Sequence, residues 1–524
     1  MKTGTRKQNS VINMITGTGG QLLTFLTGFI VRTYFVRTLG GEYLGINGLF
    51  SNILTMLSLA DLGIGSAIVF RLYKPIATHD DKMVRIYMKF YKLAYKVIGL
   101  FVLALGLLMI PLLPVLIKDY SRLADLNINA TLLFLLFLSQ TVASYLFLAY
   151  RQTVITSNQK QHIIDVVTII VSLAADVLRI LVLVLFKNFI IYTVVGVTST
   201  IAIGLINGVI AKKLYPQYFI KEIDSLSRQE VREMFKDCGA LFLYKANNVV
   251  AKSCDNMVIS SFIGLNAVGL YSNYMLLYRT TLALYSKLSN GFKASMGNLY
   301  ATGSLETKYR FFKIVNFMSA VVLGTAAAVT AVCGNEIITV WLGKKFALDQ
   351  LLAILIGIEF FLAGINITLG NVRTITGVFR QAWYRPVIAI IVNIVVSVGL
   401  VWVFGFGIHG VTLGTIASYI FANFMLEPRL IHKYSFNNYR PVREFYFRNF
   451  GYMAILTAIA AVDMWICNHL CVGHGLFSLI VHLAITGLSV PLVFWLLYGK
   501  QDECQYLVNT VKKTALKLLS KFHR

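Results

Sequence analysis

Residues 151–213 read RQTVITSNQKQHIIDVVTIIVSLAADVLRILVLVLFKNFIIYTVVGVTSTIAIGLINGVIAKK. A basic connection (Arg151, Lys160) leads into an apolar run. A short turn at Lys187 and Asn188 follows, then a second apolar run and a basic exit at Lys212 and Lys213. Each run reaches the ~20 residues that a helix needs to cross the hydrocarbon core of a bilayer. Basic residues at both open ends and one lysine at the turn make a hairpin whose ends face the cytoplasm.

The pattern extends in both directions. Apolar segments fall at 10–35, 42–70, 88–115, 129–150, 162–186, 189–211, 238–262, 266–288, 312–333, 350–372, 386–404, 409–431, 447–466 and 475–498. Of the 48 Lys and Arg residues, 37 lie in the two tails and in every second gap. Seven lie in the opposite gaps or at their edges, and four fall inside segments: Arg179, Lys245, Lys252 and Arg279. One missed span would invert every gap after it, so this bias supports about fourteen spans with both termini cytoplasmic. The chain is 57% hydrophobic and only 14% charged, against about a quarter charged in soluble domains. Its net charge of +25 is therefore an orientation signal and implies no nucleic-acid partner. The fold class expected is an all-α polytopic membrane protein.

The N-terminal apolar run exceeds a signal-peptide core and lacks a small-x-small cleavage site, so it is expected to remain as the first helix. The six cysteines are scattered and imply no disulfide framework. Cys467, His469, Cys471 and His474 cluster in CNHLCVGH, but ligand types close in sequence do not ensure convergent geometry. They read as helix-end filler, and no metal or other cofactor is expected. Residues 216–237 are expected to form an amphipathic linker, and 499–524 a basic amphipathic tail, either laid on an anionic membrane surface or solvated and setting orientation.

Two short stretches match. Residues 39–50 are LGGEYLGINGLF and 263–274 are IGLNAVGLYSNY, which pairs Gly40 and Gly45 with Gly264 and Gly269 at an offset of 224. Each copy opens an even-numbered segment at an outward turn. An offset of six spans restores orientation, as in transporters built from repeated halves.

The stretch VRTLGGEYLGINGLFSNILTMLSLADLGIGSAI resembles the opening of bacterial oligosaccharide flippases, and KSCDNMVISSFIGLNAVGLYSNYMLLY resembles the start of their second lobe. These flippases form the polysaccharide-transporter branch of the multidrug/oligosaccharidyl-lipid/polysaccharide exporter superfamily. The resemblance implies two six-helix lobes around a central cavity, plus two C-terminal helices. The organisation expected is an N-lobe at 1–215, a linker at 216–237, a C-lobe at 238–435, the last two spans at 436–498 and a tail at 499–524. It also implies translocation of a polyprenyl-diphosphate-linked oligosaccharide from the inner to the outer leaflet of the bacterial cytoplasmic membrane. Lipid II or drug export by the same fold stands as the alternative. The expected partners are the lipid-linked oligosaccharide and membrane lipids, with a polysaccharide polymerase and other assembly proteins as further candidates.

Charges inside a bilayer are costly and face a cavity or each other. Lys245, Asn248, Lys252, Asp255 and Asn256 form one stripe on the seventh segment. Lys245, Arg279 on the eighth segment and Asp61 on the second share a level roughly 10 to 13 Å from the inner end. One reading has Lys245, Lys252 and Arg279 receive a diphosphate, since guanidinium and ammonium groups match phosphate oxygens. The other pairs Lys252 with Asp255, and Asp61 with Arg279 or Lys245. Arg32, near the outer end of the first segment, either draws the diphosphate outward or snorkels. Asp176 and Arg179 lie three apart and are expected to pair. Glu359 stands alone in LIGIEFFLAGIN as a candidate ion-coupling carboxylate. Tyr271, Tyr274 and Tyr278 share a face, read as packing before sugar stacking.

No catalytic residue is expected. A GxxxxGK[ST] phosphate loop is absent, outward connections leave little room for a catalytic domain, and Asp80-Asp81 lacks a supporting set for metal-dependent glycosyl transfer. A membrane polymerase or glycosyltransferase is the competing class.

Overall fold

The computed structural model describes residues 6–510 and 512, apart from 62–63, 119, 122, 124–127, 159, 221–223, 380 and 470–474; within some helices only the backbone is described. Fourteen long helical stretches follow one another among the described residues. The first is α1 (Arg6–Leu39). The second, α2, comes in two pieces, Gly41–Leu57 running into a 3-10 turn at Ser58–Asp61, and Ile64–Ala77. Next come α3 (Asp81–Met109) and α4 (Ala130–Ala143, a π-helical Ser144–Leu148 and Ala149–Ser157). They are followed by α5 (Gln161–Leu185), α6 (Phe189–Leu214), α7 (Arg228–Phe262), α8 (Leu265–Thr302), α9 (Leu305–Leu342), α10 (Gln350–Thr376) and α11 (Tyr384–Trp402). The last are α12 (Gly407–Ser418, a π-helical Tyr419–Leu426 and Glu427–Tyr434), α13 (Val442–His469) and α14 (Leu476–Tyr498).

Each of the fourteen apolar segments thus falls on one helical stretch, which bears out the expected class. The continuous second segment at 42–70 needs correction. The regular helix gives way at Ser58 to a 3-10 turn, and a second helical piece starts at Ile64. An apolar count does not register such a change of helix type. Ten stretches, or eleven with the bent α4, are long and apolar enough among the described residues to cross a membrane.

Helix starts follow capping chemistry. Asp80 accepts from the Met83 amide, Asn129 from Leu132, Asn188 from Ile191, Ser304 from Thr307 and Asp349 from Leu352. Each satisfies one of the amides that a helix start leaves unpaired. Asp80 is therefore a cap. Ser227 and Glu230 form a reciprocal capping box that starts α7 inside the 216–237 stretch.

The chain forms two compact units, Met1–Gly269 and Leu270–Arg524. In the first, α1 and α6 pack on α5, α4 packs on α6, and α7 packs on α2. In the second, α9 is central and touches α10, α13 and α14, while α12 lies against α10 and α11. The most apolar window of α10 is 72% buried, against 17% in α1 and α5. So α10 serves as core, while α1 and α5 present apolar faces outward. Large exposed side chains such as Leu108, Val209, Trp402 and Leu488 suit a surface solvated by lipid, where backbone polar groups are satisfied within each helix.

Candidate functional site: the repeated turns and the polar helices

The two glycine repeats meet. Gly40 (φ 95°) and Gly264 (φ 133°) begin their turns in conformations that a side chain rarely adopts. Beyond them, a Cβ on Gly45 would collide with the carbonyl oxygen of Leu265. A Cβ on Gly269 would collide with the carbonyl oxygen of Gly41. The offset of 224 maps Gly41 onto Leu265 and Gly45 onto Gly269, so the two contacts are one contact made twice. The first turns of α2 and α8 therefore meet backbone to backbone, and hydrogen bonds fix the end of α7 that leads into this contact. The Ser260 hydroxyl donates to the Leu116 carbonyl at 2.7 Å, and Lys118 Nζ donates to the Phe262 carbonyl at 3.1 Å.

The polar stripe lies further back along α7. Ser253, Asp255 and Asn256 are buried. The side chains of Lys245, Asn248 and Lys252 lie outside the described residues, as does that of Asp61, so the proposed Lys252–Asp255 and Asp61–Arg279 pairs do too. Arg279 on α8 is exposed, and no carboxylate among the described residues pairs with it. On α1, Arg32 is half-buried near Tyr192 of α6.

The expected Asp176–Arg179 pair is present at 3.5 Å. Thr27 of α1 donates to Asp176 at 2.8 Å, and Arg179 stacks over Tyr192 at 5.2 Å. The pair thus serves to dock α1 and α6 on α5. Tyr271, Tyr274 and Tyr278 are all buried. Tyr274 donates to Asn335 Oδ1 and accepts from the Leu348 amide, so these rings pack the second unit.

Glu359 is not isolated. It is 4% exposed on α10 and lies beside Tyr278 and Tyr419. Asp463, also isolated in sequence, accepts from Ser489 at 2.6 Å. Distant helices supply both sets of neighbours, and segment-by-segment reading cannot bring them together. Cys467 is buried, Cys471 and His474 lie outside the described residues, and no group of three metal-ligating side chains occurs among the described ones.

The sequence reading missed a buried ionic cluster in the second unit. Glu427 receives both Arg373 and Arg385, the latter at 2.8 Å. Arg385 also donates to Asn366 Oδ1 at 2.7 Å and to Asn423 Oδ1. Arg373 and Arg385 had read as connection charges, yet Arg385 is 2% exposed. The available signal was Glu427, a carboxylate inside an apolar segment. A second missed group joins α9 to α14, where Glu336 accepts from Ser478 at 2.9 Å and lies 2.7 Å from His482 Nδ1. In the same unit, α9, α10 and α13 leave an apolar cavity of about 270 Å³, lined by Ala331, Gly357, Phe361 and Leu456 among others.

Residues 10–290 match the family model described as "Polysaccharide biosynthesis protein". The chain belongs to that family. The resemblance of the two glycine-bearing stretches is thereby borne out, because both lie within the matched region. A family-sized relative is the uncharacterized membrane protein EpsK of Bacillus subtilis (strain 168). It is 21% identical over 429 residues, which cover 79% of this chain and 81% of EpsK. Among solved structures, the lipid II flippase MurJ in an inward closed conformation is similar with a TM-score of 0.64. It has 13% identity and covers 93% of this chain and 99% of that one. An inward-facing multidrug resistance MATE transporter of the MOP superfamily is similar with a TM-score of 0.59. It has 12% identity and covers 81% of this chain and 99% of that one. The polysaccharide biosynthesis chain described here therefore has the fold shared by these exporters and is a multi-span membrane protein.

Proposed function

We propose that this protein is a flippase that carries a polyprenyl-diphosphate-linked oligosaccharide from the inner to the outer leaflet by alternating access, with both termini cytoplasmic. One observation carries the reading. Asp61, Lys245, Lys252, Asp255 and Arg279, charges that the sequence places inside apolar segments, belong to three helical stretches, α2, α7 and α8. A charge at membrane depth requires water or a charged partner. Polar helices in an exporter fold are thus suited to line an aqueous path, and its cations suit a diphosphate.

Family membership supports a substrate on the route to surface polysaccharide. The apolar cavity beside α13 offers lodging for part of a polyprenyl chain. The reading is transport and not catalysis, because the fold is that of exporters. Glu359, held between two tyrosines, stays a candidate for ion coupling within it.

The test is export of lipid-linked sugar in cells that depend on this protein. Arg279→Ala and Lys252→Ala, each shown to reach the membrane, are expected to abolish export. Wild-type export in both would overturn the assignment. Sugar transfer by the pure protein would replace transport with catalysis.

A further inference from the structure

The seam between α9, α13 and α14 carries an acid–base pair to which the transport reading gives no role. All three helices are long and apolar enough to cross a membrane. Yet α14 turns a polar stripe toward its neighbours: Ser478, His482, Thr486 and Ser489, at spacings of four, four and three. Ser478 and Thr486 are buried, while Phe477, Ile480 and Leu488 on the rest of the helix are exposed. The stripe meets one carboxylate from each neighbour. Glu336 of α9 accepts from Ser478 at 2.9 Å, and Asp463 of α13 accepts from Ser489 at 2.6 Å. Between them, Thr486 Oγ1 lies 3.7 Å from Cys333 Sγ.

His482 Nδ1 stands 2.7 Å from Glu336 Oε2. So short a contact between a ring nitrogen and a carboxylate oxygen holds a proton. The two side chains are 12% and 26% exposed respectively. Glu336 lies six residues before Leu342, the end of α9, and His482 six residues after Leu476, the start of α14. Both therefore sit roughly 9 Å along their helices from these ends.

A count of protons shows what the pair can do. With a single proton, on Nδ1, the imidazole is neutral and the carboxylate leaves the pair with one net negative charge. His482 Nε2 then carries a lone pair, and it is buried without a hydrogen-bond partner among the described residues. A second proton, taken from water, makes the pair neutral overall. That holds whether both ring nitrogens are protonated beside a carboxylate or one proton rests on the carboxyl. A net charge at membrane depth is costly, so the second proton relieves that cost.

The rest of the three helices supplies no fixed cation at this level. No Lys or Arg occurs in residues 314–343 or 449–499, and Lys344 and Lys345 lie beyond the end of α9. The neighbouring titratable groups are Cys333 of α9 and Asp463 and Cys467 of α13, which bring no positive charge. Cys471 and His474, in the connection before α14, lie outside the described residues.

We propose that Glu336 and His482 form a proton-binding site that exchanges one proton with water in the range where histidine titrates. Its loaded form is a charge-assisted bond that holds α14 on α9. Its unloaded form leaves a net negative charge that draws water into the seam. The site does not depend on what the chain transports.

The experiment is solid-state nuclear magnetic resonance of the full-length protein in lipid bilayers, isotope-labelled at the histidine ring nitrogens. The ring-nitrogen shifts report directly whether one or both nitrogens carry a proton. His482→Gln identifies the His482 signals by their loss. In wild type, Nε2 is expected to pass from unprotonated to protonated between about pH 9 and about pH 5. Glu336→Gln should lower the doubly protonated fraction at mid-range by roughly ten-fold or more, the usual effect of losing an adjacent opposite charge. Ser478→Ala keeps both titrating groups and should keep the transition. Unchanged signals from the other histidines show that each variant is folded. An Nε2 that holds one state throughout the range in wild type would overturn the proposal, and this outcome needs no variant to fold. So would a wild-type transition in Glu336→Gln, or its loss in Ser478→Ala. None of these readouts involves export, so the result is separate from that of the transport assay.

Discussion

The carbonyl oxygen of Leu265 occupies the space that a side chain on Gly45 would need, and Gly41 stands in the same relation to Gly269. Two sequence copies 224 residues apart are therefore packed against each other through their backbones. Neither copy tolerates a methyl group without movement of the other. Gly45→Ala and Gly269→Ala should each destabilise the first unit by about 1–3 kcal/mol, the usual cost of overpacking. Gly48→Ala, on the same helix, meets only the side chain of Val268 at 3.5 Å and should be close to neutral. Thermal unfolding in detergent checks the order of the three.

Arg279 is exposed, and no carboxylate among the described residues holds it. Removal of a charge at an exposed position should leave stability within about 0.5 kcal/mol, while export of lipid-linked sugar is lost. Arg279→Lys keeps the charge and gives up the planar fork, so it should retain partial export. A large fall in melting temperature in Arg279→Ala would mark the residue as structural.

Glu427 balances two buried guanidinium groups. Glu427→Gln leaves Arg373 and Arg385 without their counter-charge and should cost about 3–5 kcal/mol. Replacement of all three residues by methionine should cost less than that single change, because no buried charge is then left over. The comparison of melting temperatures between the single and triple variants checks this.

Glu503 follows α14 and is 3% exposed. Burial alone would raise its pKa, but Arg448 at 2.6 Å and Lys313 at 3.2 Å outweigh burial and hold it below the ordinary glutamate value of 4.5. A depressed carboxylate stabilises the fold fully above its unfolded value and loses that contribution as pH falls through its folded value. The stability gap between wild type and Glu503→Gln should thus be constant above about pH 5 and shrink below 4.5. A gap that widens on acidification would contradict the sign.

Much of the architecture was legible before any coordinates. The turn at Lys187 and Asn188 and the matched glycines at 40, 45, 264 and 269 are local or periodic features. The Asp176–Arg179 pair was legible too, since three residues on a helix share a face. Glu359 and Asp463 read as isolated, and Arg385 as a connection charge, because their partners come from other helices. The break at Ser58 escaped because hydropathy averages over a window and a change of helix type does not alter the average.

The sequence by itself determined the number of spans, their helical nature and the existence of a repeat. The bilayer imposes a length and an apolar composition on each crossing, and both are written along one dimension. Only the tertiary structure decided that the two repeats touch through their backbones, that Glu427 collects two arginines, and that Glu336 of α9 meets His482 of α14. Those relations depend on which helix faces stand opposite each other. Helix packing sets that choice in three dimensions, and the order of residues along any single segment does not record it.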